Sequence, residues 1–226
     1  MESALRVSGV RHSWPGGFTL DVPHLSLEAG ESVLLLGRSG SGKSTLLSLI
    51  CGTLTPAAGE VRVAGTDLTG LRPAARDRLR ADRIGVIFQQ FNLLPFGTVR
   101  DNITLPLRFS AQRRARSAPD EAEALCRGLD LPAGVLDMQA AHLSVGQQQR
   151  VAVARALIGA PGLVVADEPT SALDEGSQTA FLDLMFAQLA RTRAALLMVS
   201  HDARLGARFD RTLRLEELTR PATLPA

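Results

Sequence analysis

Between Val33 and Thr45 the sequence reads VLLLGRSGSGKST. Gly37, Gly40 and Gly42 let successive backbone N–H groups turn into one concavity that can cradle an anion. Lys43 can reach β- and γ-phosphates, and the Ser44 hydroxyl can ligate Mg²⁺. Arg38, Ser39 and Ser41 fill the turn, and Lys43-Ser44-Thr45 opens what reads as a helix, whose unpaired N–H groups and positive dipole end add to the pull on phosphate. From Gly37 to Ser44 the spacing is G-x-x-x-x-G-K-[ST], in the strand–loop–helix context that gives the pattern weight. These residues predict a site for a nucleoside triphosphate.

Other residues of the same chemistry follow short apolar runs. Asp167 closes Leu163–Ala166 and can hold Mg²⁺ through water. Glu168, next to it, can orient or deprotonate an attacking water; the pair Asp167-Glu168 before Pro169-Thr170 also reads as a helix cap. Gln89 follows Gly85–Phe88, where its amide can reach metal and water. His201 follows Ala195–Val199, where it reads as a γ-phosphate sensor. In open α/β sheets ligands bind at the carboxyl ends of strands, so these features line up along one edge.

The elements that must hold them are legible from periodicity. Leu5–His12 and Phe18–Val22 alternate as half-buried strands around a turn at Pro15-Gly16-Gly17. Trp14, just before that turn, is either a sheet aromatic or a stacking platform for a base. Leu46–Cys51 continues a helix that Gly52 and Pro56 end, and Gly59–Val63 is a further strand. The arginine-rich run Arg72–Arg83 reads as a solvated helix face. Residues about 97–143 form short helices, one starting at Pro119-Asp120-Glu121 with Ala122, Leu125 and Leu129 on one face. Helices are expected at Gln147–Ile158 and Ser177–Ala190, and a last strand near Thr212–Leu215. Buried strands alternating with helices predict an α/β fold with a mainly parallel sheet. The helical block about 91–143 then reads as a subdomain inserted between core segments at about 1–90 and 144–226.

Composition bounds the rest. A chain of 226 residues, 45% apolar, suits one α/β domain with an inserted subdomain. A formal charge of +2 gives no case for nucleic acid as main partner. Cys51 and Cys126 lie far apart without a metal-binding pattern and read as reduced thiols of a cytosolic protein. The first residues lack the pattern of a signal peptide, and no run approaches the roughly 20 apolar residues of a membrane span. A place at a membrane would therefore depend on a partner.

Trp14, the loop Gly37–Ser44, Gln89, LSVGQ at Leu143–Gln147, LVVADE at Leu163–Glu168, SALD at Ser171–Asp174 and His201 occur in an order and spacing that resembles an ABC-type ATPase cassette. The resemblance covers nearly the whole chain. It implies ATP and Mg²⁺ as ligands, Trp14 stacked on adenine, Gln89 as the loop glutamine and Glu168 as catalytic base. It also implies a head-to-tail dimer, in which Ser144, Gly146 and Gln147 of one copy meet ATP held by the other and Asp174 lies at the seam. Gly40 and Ser41 are then expected to face the second copy. Val145 departs from the family's usual LSGGQ, which backbone contacts tolerate if its φ stays negative. The wording of Phe88–Pro95, Ser144–Leu157 and Ala166–Asp174 looks like the lipoprotein-releasing and macrolide-exporter group of bacterial cassettes, which pair with a separate or fused permease that has a large periplasmic region. An amino-acid importer cassette shares much of that wording; a soluble ABC protein is the remaining alternative within the family. The resemblance implies attachment at the cytoplasmic face of the inner membrane through the permease, and the apolar loop Phe91–Phe96 then reads either as lining its docking groove or as packing inside the helical subdomain.

Overall fold

Three apolar runs too short for helices, each lacking a polar face, become the central strands. The computed structural model describes residues 3–14, 18–171 and 173–219; the expected turn at Pro15-Gly16-Gly17 lies outside them. In chain order the elements are β1 (Ser3–Ser13), β2 (Thr19–Glu28), β3 (Ser32–Leu36), α1 (Lys43–Ile50), β4 (Ala58–Val63), β5 (Thr66–Asp67), α2 (Pro73–Arg83) and β6 (Ile84–Ile87). Then come α3 (Val99–Phe109), α4 (Ala111–Arg116), α5 (Glu121–Gly128), α6 (Val145–Leu157), β7 (Leu163–Asp167), α7 (Glu175–Thr192), β8 (Ala195–Ser200), β9 (Arg211–Arg214) and α8 (Leu215–Leu218).

Two sheets form. An antiparallel one runs β2-β1-β4-β5, and a parallel one runs β6-β7-β8-β3-β9. Alternation along the parallel strands divides the core. Val33, Leu35, Val165, Leu197 and Val199 pack with α1 and the antiparallel sheet, whereas Leu34, Leu36, Val164, Ala166, Leu196 and Met198 pack with α3, α5, α6 and α7. A strand buried on both faces must be apolar throughout, so these runs carry no polar alternation. The helices over 99–128 share one continuous core with the parallel sheet, since Val99, Ile103, Ala122 and Leu125 pack with Ile87 and Leu34.

Register aligns the carboxyl ends. Leu36 pairs with Ser200, Asp167 with Val199, and Ile87 with Ala166. The residues that follow these four strands therefore emerge at one edge. Helix starts differ modestly from expectation: α6 begins at Val145 because Ser144 and Gln147 close a reciprocal capping box, which extends the helix past the glycine.

Candidate functional site

The loop after β3 is shaped by backbone geometry that glycine permits. Gly42 sits at φ 102°, and a Cβ there would lie 2.8 Å from Cζ of Phe18, so the position takes no side chain on either count. Its left-handed turn opens α1 directly at Lys43, where the sequence places the helix start. The C-terminal helix α8 braces the loop: Arg38 N–H donates to Glu216 Oε1 at 3.1 Å, a bond that holds the Glu216 carboxyl below its ordinary value. Lys43 is buried, and its Nζ donates to Gly37 O at 2.6 Å and Arg38 O at 2.9 Å. The ammonium thus rests on the loop's own carbonyls, a bonding that incoming phosphate oxygens can replace. Gly40 is open, with nothing within 4 Å of a would-be Cβ. Ser41, by contrast, was expected to face outward with Gly40, but its Oγ is buried without a partner beneath the loop.

A groove of about 760 Å³ is lined by Trp14, Phe18, Ser39, Gly40, Gly42, Lys43, Ser44, Thr45, Gln89, Asp167, Glu168 and His201. That volume lies within the usual range for small-ligand sites. Glu168 occupies the left-handed region at φ 43°, an uncommon state for a non-glycine residue that is typical of functional sites. Its N–H donates to Val199 O at 3.0 Å, which pins the turn after β7 to the end of β8. One carboxylate oxygen lies 2.8 Å from His201 Nδ1, and the other 3.9 Å from Lys43 Nζ. Burial pushes the Asp167 carboxyl up, Glu168 adds to the rise, and Lys43 opposes it. A cation bound at this point would reverse that penalty.

Ser44, Gln89 and Asp167 supply only oxygen donors to one groove, a set that suits Mg²⁺ completed by phosphate and water oxygens. Trp14 stands at the rim, with its indole N–H donating to Thr45 Oγ1 at 3.3 Å and His12 packed edge-on. Its ring is 43% exposed, so a face remains free for a planar base. Phe18 belongs to the lining and escaped the sequence reading, which placed it only in an alternating strand.

The remaining expected site residues lie elsewhere. Ser144, Gly146, Gln147 and Asp174 are absent from the groove lining. Ser144 Oγ accepts from Gln147 N–H, and Gln147 Oε1 accepts from Ser144 N–H at 2.9 Å, so each side chain is engaged with the other's backbone. That leaves the N–H groups of Val145 and Gly146 as the free donors of the first turn. Val145 is exposed and is not among the residues with positive φ, the condition under which valine is tolerated there. Asp174 caps α7, accepting from Ser177 N–H and Oγ at 2.9 and 2.7 Å, and these bonds hold its carboxyl below the usual range.

The model of the family described as "ABC transporter" matches residues 20–171, well over half of the chain. The chain belongs to the ABC transporter family. Among its relatives is the lipoprotein-releasing system ATP-binding protein LolD of Anaeromyxobacter dehalogenans. It is 44% identical over 218 residues, covering 93% of this chain and 90% of the relative. The macrolide export ATP-binding/permease protein MacB of Rhodopirellula baltica is 40% identical over 85% of this chain, which spans 28% of that longer protein. The dimeric structure of a post-hydrolysis state of the ATP-binding cassette MJ0796 bound to ADP and Pi has a TM-score of 0.79 at 31% identity, covering 93% of each chain. The fold and group therefore agree with the resemblance seen in the motifs, and the chain is an ABC-type ATPase.

The ABC cassette carries a second groove, of about 900 Å³, beside the first. Phe88, Leu105, Pro106 and Phe109 line it, with Asp167 and Ser44 at its inner end. Of the loop Phe91–Phe96, Asn92 lines this groove, Leu93 is partly buried against the core and Phe96 is 78% exposed. Among the described residues, no helix is long and apolar enough to cross a membrane.

Proposed function

We propose that this ABC cassette binds Mg²⁺–ATP in the groove beside Lys43 and hydrolyses it in a head-to-tail pair with a second copy. The observation that carries the reading is Glu168, held between His201 at 2.8 Å and Lys43 at 3.9 Å in the groove that Ser44, Gln89 and Asp167 also line. Adenine stacks on Trp14, and the loop Gly37–Thr45 takes the phosphates. Ser44, Gln89 and Asp167 would hold Mg²⁺, which would supply charge neutralisation for phosphoryl transfer. Glu168 accepts the proton of the attacking water, and His201 orients the carboxylate and faces the γ-phosphate. The exposed first turn of α6, from Ser144 to Gln147, closes the site of the other copy with its Val145 and Gly146 N–H groups, and Asp174 lies at the seam. Gly40, open to solvent, faces that turn.

The chain is read as one cassette over 1–226, with a catalytic core at about 1–90 and 144–226 and a helical part at about 91–143. The groove lined by Phe88, Leu105, Pro106 and Phe109 receives a cytoplasmic helix of a membrane permease, as the relatives' role as ATP-binding subunits supports. The cassette then works at the cytoplasmic face of the inner membrane without nucleic acid. Its dimerisation drives the permease toward export or lipoprotein release, with a periplasmic partner reached through it. Glu168→Gln tests the chemistry: turnover should fall by about 10²–10⁴-fold while ATP binding stays. Unchanged turnover would overturn the assignment.

A further inference from the structure

Two residues after Gln89 the backbone enters the left-handed region and stays there for two steps, Phe91 at φ 57° and Asn92 at φ 48°. Neither is glycine, and such a conformation costs roughly 1–2 kcal/mol per residue unless the surroundings impose it. The imposing group is Arg155, near the end of α6. Its Nη1 donates to Asn92 O at 2.6 Å and its Nη2 donates to Phe91 O. Arg155 is 7% exposed, and among the described residues it makes no ion pair. A buried cation without a carboxylate depends on its hydrogen bonds to offset desolvation. Burial alone holds the Arg155 pKa below its ordinary value, which marks that desolvation. The two loop carbonyls and the guanidinium therefore satisfy one another, and neither keeps its partners if the loop changes shape.

The position matters because of what α6 carries at its other end. Ser144 lies eleven residues before Arg155, roughly 16 Å along the axis at about 1.5 Å per residue. One rigid helix thus runs from the exposed turn that faces outward to the loop that holds Gln89. Phe91 N–H donates to Phe88 O at 3.0 Å and Asn92 N–H to Gln90 O at 2.6 Å, so the stretch from Phe88 to Asn92 is one tight turn whose far side is gripped by Arg155.

We propose that Arg155 is a positioning residue for Gln89: it clamps the left-handed turn at Phe91–Asn92 and so fixes where the Gln89 amide meets metal and water, in register with α6. This rests on the reading of Gln89 as a ligand to metal and water. The bidentate fork is essential, because a lysine supplies a point charge that cannot serve two adjacent carbonyls with the same geometry.

The test is a double-mutant cycle on the full chain with Arg155→Met, Arg155→Lys, Gln89→Ala and the combinations. Readouts are kcat and KM for ATP, the Mg²⁺ concentration for half-maximal turnover, ATP binding without Mg²⁺, and the melting temperature. Displacement of a reacting group by about 1 Å can cost on the order of 10²-fold. Arg155→Met should accordingly lower kcat by about 10- to 100-fold and raise the Mg²⁺ requirement, with Mg²⁺-free ATP affinity kept within about threefold. Arg155→Lys should recover only part of the loss. In the Gln89→Ala background, Arg155→Met should add little, since the group it positions is gone. Additive losses, unaltered turnover in Arg155→Met, or a loss of Mg²⁺-free ATP binding in both Arg155 variants would overturn the clamp. A Gln89→Ala variant with unaltered turnover and Mg²⁺ requirement would instead overturn the reading of Gln89.

Discussion

Replacing Asp167 by Asn should make the nucleotide-free protein more stable while removing its turnover. Burial and the adjacent Glu168 raise the Asp167 carboxyl above its ordinary 3.8, against the opposing pull of Lys43. The folded-state pKa therefore lies above the unfolded one, and the ionised group destabilises the fold at neutral pH. Stability gained from this residue appears as pH falls through the raised folded pKa and is complete below the unfolded value. Asparagine keeps the volume and carries no charge. Relieving strain of this kind at a functional site gives about 0.5–2 kcal/mol. At about 2–4 °C per kcal/mol for a chain of this size, the melting temperature should rise by roughly 1–8 °C at pH 7. On the proposed role of Asp167 as a metal ligand, worth several kcal/mol, turnover should fall at least about 10²-fold. Calorimetric melting of both proteins between about pH 4 and 8, with turnover at saturating Mg²⁺–ATP, reads both effects. The gap in melting temperature should narrow as pH is lowered. A variant that melts at or below the wild-type temperature at pH 7 would refute the reasoning.

Asp210 shows the opposite sign. The Ser32 hydroxyl and N–H both donate to its Oδ2, at 2.7 and 2.8 Å, and hold its carboxyl below the ordinary value. Its stabilising contribution is present above about pH 4 and is lost as pH falls through the lowered folded pKa, so Asp210→Asn should flatten the acid limb of the melting curve relative to wild type. An unchanged acid limb would contradict this. In the second groove, Phe88 and Phe109 are 43% and 70% exposed, so changing both to Asp should leave the fold and ATP binding intact while releasing the permease. Continued co-purification of the complex would exclude this groove as the dock.

Much of the site was legible because its parts are local in sequence. Gly37–Ser44 encodes a loop whose conformation follows from its glycines, and the apolar runs at β3, β7 and β8 identified strands whose ends must share an edge. Residues whose roles depend on remote partners were not. Nothing local in the sequence sets Arg155 and Arg113 apart from other arginines, yet Arg113 is 2% exposed and donates to Ala156 O and to Ile158 O, closing the carboxyl end of α6. Phe91, Asn92 and Glu168 adopt positive φ without glycine to announce it, because tertiary hydrogen bonds impose what local preference resists. The sequence leaves docking and packing both open for the loop Phe91–Phe96, and Leu93 lies partly buried against the core, since apolarity alone does not say which side a loop residue faces. The capping box of Ser144 and Gln147 follows a recognisable S-x-x-Q pattern, and it moved the start of α6 to Val145.

The central claim is that one chain holds half of a working site. Neither Ser144 nor Gly146 lines the groove of Lys43 and Glu168, and in the proposed head-to-tail pair they reach it from a second copy. Turnover per chain, measured in the purified cassette across a hundredfold range of protein concentration, tests this directly. The account predicts specific activity that rises with concentration, with the Glu168→Gln protein sedimenting as a dimer in ATP and a monomer without it. Specific activity independent of concentration, with a monomer in ATP, would contradict it.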